Sequence, residues 1–123
     1  MTRVRGIRGA TTAGSNTREA IISATKELLG KLIEENAIQI DDLAAAFFTT
    51  TEDLNAEFPA LAARQMGWAC VALLGGREVS VPDAQAQCIR VLLMVNTNKP
   101  PQELTHVYLR GATSLRDRGI EGI

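Results

Sequence analysis

Two hydrophobic rhythms run through the chain. Residues 3 to 12, RVRGIRGATT, follow a two-residue period, with Val4, Gly6, Arg8 and Ala10 on one side and Arg5, Ile7 and Gly9 on the other, which predicts a strand. Glycines flank the pair Ile7 and Arg8, and a glycine inside a strand often marks the close approach of another group. From Asn16 the period lengthens. Asn16 with Glu19 three residues on has the form of a capping box. Ile21, Ile22, Thr25, Leu28, Leu29, Leu32 and Ile33 then recur at helical spacing as far as Asn36. Arg18, Lys26, Glu27, Lys31, Glu34 and Glu35 fill the other side as a solvated surface, so this helix is expected to cover one face of a sheet.

After Asp41 and Asp42, LAAAFFTTT predicts a strand from its aromatic and β-branched residues. Glu52 to Glu57 reads as a turn or short helical loop, and Pro59 suits the first turn of a short helix reaching Gly67. Trp68 to Leu74 predicts an apolar strand broken by Gly75 and Gly76. Arg77 to Val81 alternates like a further short strand, ended by Pro82. Cys88 to Val95, CIRVLLMV, suits a strand buried on both faces, with Ile89, Val91, Leu93 and Val95 pointing one way and Cys88, Leu92 and Met94 the other. Pro100 and Pro101 open a short turn or helix through Leu104, and His106 to Leu109 form a last strand. The tail, about 110–123, has too little apolar pattern to predict full order, so part of it is expected to be flexible. The order β-α-β-α-β-β-β predicts one α+β domain over residues 1–123, with helices packed on a mixed sheet.

Composition narrows the function classes. Hydrophobic residues make up 46% and charged residues 22%, the balance of an ordinary folded domain, and no apolar run approaches a membrane span. Thirteen basic residues against fourteen acidic ones leave a formal charge of -1, so no overall field recruits nucleic acid or anionic lipid. The two cysteines, Cys70 and Cys88, sit in apolar strand-like runs where buried free thiols are usual, which points to a reducing, cytoplasmic setting. The N-terminus has no apolar segment long enough for a signal peptide, so export is not expected. One histidine, His106, and no cysteine pair at ligand spacing argue against a zinc site.

The sharpest chemical signal is Arg90, a charge among the apolar residues of CIRVLLMV. Arginine cannot lose its proton to escape burial, so something anionic should meet it, either a carboxylate of the chain in a structural ion pair or a ligand. Arg8 has two readings as well, a solvated edge-strand arginine or one pointing into the space its glycines leave. Glu78 can pair with Arg77 or Arg90 as a plain salt bridge or face a ligand.

The segments VRGIRGATT, TEDLNAEFPALAARQMGW, CIRVLLMVNT and HVYLRGATSLR together resemble the monofunctional trimeric chorismate mutases, the AroH class, in the same order and at nearly the same spacing. That resemblance implies a homotrimer of pseudo-α/β-barrel form, with sheets around the threefold core, helices outside, and active sites between neighbouring subunits. The implied reaction is chorismate to prephenate, in the shikimate pathway, with no cofactor or metal. Carried over position by position, Arg8, Arg90, Glu78, Tyr108, Leu73, Leu74 and Leu115 line the cleft from one subunit, while Phe58, Ala60 and Arg64 come from its neighbour. Arg116 closes the mouth. Two positions depart from the pattern. Gly75 stands where members often carry a small polar side chain, leaving only its backbone N–H to meet substrate, and Leu61 stands where some place a lysine, which weakens the positive rim. Two other readings stay open: an imine hydrolase of similar trimeric architecture, which FPALAAR and HVYLR fit less well, and a non-catalytic metabolite sensor, supported only by Gly75.

Overall fold

The two rhythms at the start of the chain become β1, Arg3–Thr12, and α1, Arg18–Asn36, in the computed structural model, which describes residues 2–117 and their side chains through Leu115. β2, Leu43–Thr50, α2, Ala60–Gln65, β3, Ala72–Arg77, β4, Cys88–Thr97, β5, Val107–Tyr108, and α3, Thr113–Asp117, follow. The strands form one mixed sheet in the order β3-β2-β4-β1-β5. β4 runs antiparallel to both β1 and β2, while β3 lies parallel to β2 and β5 parallel to β1. The fold is α+β.

Alternation along each strand sorts the residues onto two faces. Ile7, Ala46, Phe48, Val91, Leu93 and Val95 form the core with Leu28, Leu29 and Leu32 of α1. Gly9 lets that helix approach. A Cβ there would lie 2.8 Å from Leu32 and 3.1 Å from Leu28, so the opening that the glycine creates is filled by α1, on the face away from Arg8.

Several sequence expectations are corrected. The cap of α1 is Thr17, whose hydroxyl accepts the Ala20 N–H at 3.1 Å. Asn16 instead accepts the N–H groups of Asn55 and Ala56 at 2.9 and 3.0 Å, pinning the loop before α2 to the start of α1. Trp68 does not begin a strand. Gly67, at φ 91°, turns the chain out of α2, and the Trp68 N–H donates back to the Ala63 carbonyl at 3.1 Å while its ring enters the core. Cys70 in the following turn is therefore exposed, whereas Cys88 is buried.

Gly75 and Gly76 do not break the strand, because pairing with Phe48 and Thr49 of β2 carries β3 through to Arg77. No separate strand spans Arg77 to Val81. After the Glu78 N–H bonds the Thr50 carbonyl at 2.9 Å, the chain leaves the sheet as a loop in which Asp83 and Gln87 take left-handed backbone angles and Val79 and Val81 stay exposed. β4 is buried along one face from Ile89 to Val95, whereas the other is buried only at Cys88 in the single chain. Leu92 remains 37% exposed on the other.

The start of the tail packs on the sheet, while its end, 118–123, lies outside the described residues. A turn at Arg110–Ala112 and α3 fold back on the sheet, and Ala112 and Leu115 bury against Ala10, Cys88 and Tyr108. Arg110 pairs with Glu27 of α1 at 2.9 Å. The Gly111 N–H donates to the Thr12 hydroxyl at 3.1 Å.

Candidate active site

Register alone builds a row across the face of the sheet that α1 leaves open. Gly76 pairs with Thr49, Thr49 with Arg90, Arg90 with Ala10, and Ala10 with Tyr108. With strands about 4.8 Å apart, the backbones of Arg90 and Tyr108 stand roughly 10 Å from each other. The next row on the same face runs Leu74, Phe47, Leu92 and Arg8. Arg8 therefore lies diagonally from Arg90, within reach of a long side chain.

Arg90 meets a carboxylate of the chain, one of the two anionic partners the sequence left open. Its Nη1 donates to both oxygens of Glu78, at 3.1 and 3.0 Å, and the choice between Arg77 and Arg90 is settled for Arg90. The Arg77 guanidinium instead donates to the Thr51 carbonyl at 3.3 Å. Arg90 is not sealed, its side chain being 33% exposed. Glu78 is held by a second group, since the Thr49 hydroxyl donates to its Oε2. Thr49 was not singled out in the sequence. In the run Thr49-Thr50-Thr51 only the register with β4 tells which threonine shares a face with Arg90. Thr50 turns inward to the Leu54 carbonyl, and Thr51 bonds Asp53.

Arg8 and Tyr108 are positioned by the ends of β5. The His106 Nδ1 accepts the backbone N–H of Arg8 at 2.9 Å, and the Leu109 N–H donates to the Ala10 carbonyl at 2.9 Å. Asn36, buried at the end of α1, fixes the lead-in: its Oδ1 accepts the Thr105 N–H at 2.7 Å and its Nδ2 donates to the Thr105 carbonyl at 2.9 Å. Leu115 covers the Ala10 end of the row. Arg116 is a sequence candidate whose side chain lies outside the described residues.

The remaining candidates lie elsewhere in the chain. A cleft of about 570 Å³ opens between the edge strand β3 and the loop leading to α2, with Phe58, Pro59, Gly75 and Arg77 among its walls and none of Arg8, Arg90 or Tyr108. Phe58 is 74% exposed. Its backbone N–H donates to Glu57 Oε2 at 2.9 Å, and Arg18 donates to Glu57 Oε1 at 3.0 Å. The Phe58 N–H, and after it the Arg18 guanidinium, hold the Glu57 carboxyl below its ordinary pKa. Arg64 is exposed on α2, while Ala60 packs in the core. Leu73 also packs against the core, because neighbours on a strand point to opposite faces and Leu74 takes the open one. Among the described residues no group of three or more His, Cys, Asp and Glu side chains gathers to hold a metal ion, and no helix is long and apolar enough to cross a membrane.

The arrangement suits an anionic ligand that is to be held and polarised. Register puts two arginines and a tyrosine on one face, and the carboxylate of Glu78 beside Arg90 is anchored from two sides.

Comparison with known proteins bears on that chemistry. The family described as chorismate mutase type I matches residues 4–118. Chorismate mutase AroH of Thermus thermophilus is 54% identical over 114 residues, covering 92% of this chain and 93% of that protein. Its counterpart in Bacillus subtilis (strain 168) is 42% identical over 114 residues, covering 92% and 90%. A solved chorismate mutase from Clostridium thermocellum superposes with a TM-score of 0.89 at 46% identity, covering 90% of this chain and 99% of that one.

Proposed function

Since the chain belongs to the chorismate mutase type I family and isomerises chorismate to prephenate, we propose that it does so between the subunits of a homotrimer, with Arg90 as the principal catalytic group. The reaction serves aromatic amino acid biosynthesis. The observation that carries the site assignment is the row on the open sheet face: Arg90, fixed mid-strand and paired with Glu78, in line with Tyr108 and diagonal to Arg8.

The chemistry explains why this set suffices. Chorismate is a dianion, and in its rearrangement an ether C–O bond breaks as a C–C bond forms, so negative charge grows on the ether oxygen. A fixed guanidinium directed at that oxygen stabilises the transition state more than the ground state. No proton is transferred. Arg8 and Tyr108 hold the compact conformer in which the bond-forming carbons are close, removing much of the barrier a flexible reactant faces. Glu78 accepts a hydrogen bond from the substrate hydroxyl and orients Arg90. Leu74 and Leu115 supply apolar walls, and Gly75 offers its backbone N–H. Leu73, turned into the core, backs the wall that Leu74 presents.

A neighbouring subunit supplies Phe58, Ala60 and Arg64, with Arg116 closing the mouth. Support comes from what the single chain leaves exposed. Phe58 stands 74% exposed on a braced backbone, and Phe47, Leu74 and Leu92, at 40%, 61% and 37%, form an apolar stripe beside Arg8. A stripe of that kind on an otherwise soluble surface favours burial against a second copy. The whole chain, 1–123, works as one domain in the cytoplasm, where the exposed Cys70 stays reduced.

The test is to follow the loss of chorismate absorbance with purified protein while measuring its mass by sedimentation equilibrium. Conversion by a trimer is expected. No conversion would overturn the assignment, and full activity from a monomer would overturn the interfacial site.

A further inference from the structure

We infer that Thr49 is a positioning residue of the active site, its hydroxyl holding the Glu78 carboxylate in place while Arg90 engages substrate. The inference rests on the site proposed above. Thr49 pairs directly with Arg90 across β2 and β4 and is half-buried on the open face. Its other neighbour in the row, Gly76, has no side chain to displace it. An ionised carboxylate only accepts, so the hydroxyl is the donor, and it takes Oε2.

The need for such a group follows from where Glu78 sits. It is the first residue beyond β3, its backbone held by one bond to the Thr50 carbonyl, and a loop follows at once. Arg90 reaches both carboxylate oxygens through a single nitrogen, Nη1, which leaves the carboxylate able to swing about that contact. When an anionic substrate attracts the guanidinium, the hold on Glu78 weakens. The bond from Thr49 comes from a strand in the middle of the sheet and does not depend on Arg90. It keeps Oε2 occupied and leaves Oε1 for a substrate hydroxyl to donate to.

The test is a double-mutant cycle read by steady-state kinetics on the assembled protein. Thr49→Val keeps shape and β propensity but removes the donor, and Thr49→Ser keeps the donor. Hydrogen bonds to charged groups are among the stronger ones, so Thr49→Val is expected to lower kcat/KM about tenfold, with Thr49→Ser within roughly twofold of wild type. In a Glu78→Ala background the added loss from Thr49→Val should fall below about twofold, because the residue acts through Glu78. Circular dichroism and mass confirm fold and assembly. A folded Thr49→Val enzyme with wild-type kcat/KM, or an undiminished loss in the Glu78→Ala background, would overturn the inference while leaving the site intact. A Glu78→Ala enzyme with wild-type kinetics would overturn the role given to Glu78 and the inference with it.

Discussion

Arg90 Nη1 stands 3.1 and 3.0 Å from the two oxygens of Glu78, so a carboxylate of the chain holds this guanidinium before any substrate arrives. Its Cα is fixed as firmly, between β1 and β2 at the centre of the sheet. Preorganised charge of this kind acts without rearrangement at the moment of reaction. Arg90→Ala is expected to fold and assemble, since Ile89 and Val91 keep their packing, yet to lose at least about 10² to 10³ in kcat. Arg90→Lys keeps the charge but not the planar fork and should also be severely impaired. Measuring kcat for both variants beside their mass in solution decides it. A folded Arg90→Ala enzyme keeping more than about a tenth of wild-type kcat would remove Arg90 from the transition state.

Assembly is predicted to depend on the open face. Phe47 and Leu92 are 40% and 37% exposed in the single chain, so a charge there costs the fold of one subunit little. Phe47→Asp is expected to give a monomer by sedimentation equilibrium with unchanged circular dichroism and no measurable conversion. A trimer of undiminished stability would show that another surface makes the contact.

Much of this could be read from the chain, and what could not has physical causes. β1, α1, β2 and β4 follow their apolar periods closely, because each lays one continuous apolar face on the same core. Trp68 and the stretch Arg77 to Val81 misled for opposite reasons. Trp68 is apolar because it plugs the core at a helix end, and Val79 and Val81 alternate with no strand to pair with. The packing at the start of the tail left no trace in the hydrophobic pattern because it rests on Ala112 and Leu115, three residues apart, too few to make a period. As for the site, Arg8, Glu78, Arg90 and Tyr108 are too far apart in sequence for spacing to join them, and the family resemblance brought them together. Thr49 carried no signal until strand register gave it a face.

The pH dependence should separate chemistry from folding. A rearrangement steered by arginines needs no titrating acid or base, so kcat is expected to be flat from about pH 6 to 9. Stability should respond in acid. Arg110, by hydrogen bond and charge, holds the Glu27 carboxyl below its ordinary value of 4.5, as Phe58 N–H and Arg18 do for Glu57. A carboxylate with a depressed folded pKa adds stability above its unfolded value and loses it as pH falls through the folded one. The denaturation midpoint should therefore hold at neutral pH and decline below about pH 4.5. A bell-shaped kcat profile or a large solvent isotope effect would indicate proton transfer instead.

Thr11 offers a route to a more stable protein. Its side chain is fully buried, and among the described residues its hydroxyl has no hydrogen-bond partner. A buried hydroxyl without a partner costs roughly 1 to 3 kcal/mol, and valine fills nearly the same volume without that penalty. Thr11→Val should raise Tm by a few degrees with kcat unchanged. A lower Tm by calorimetry would mean that the hydroxyl is satisfied in solution.

The tail is predicted to be a cover whose removal can be seen directly on a thiol. Cys88 is 3% exposed, and it shares a cluster with Ala10, Ala112 and Leu115, on the same strand as Arg90 and two residues from it. Deleting residues 113–123 removes Leu115 from that cluster. In a Cys70→Ser background, where the exposed thiol no longer competes, Cys88 should then react with a thiol reagent at least about tenfold faster, since local opening governs access to a buried group. The same deletion should lower kcat/KM more than kcat, because a segment that covers the row acts on capture before it acts on the bond that breaks. Equal losses in kcat and kcat/KM would make the tail part of the transition-state site. Cys88 as slow to react as in the full chain would show that a neighbouring subunit, rather than Leu115, closes that end of the row.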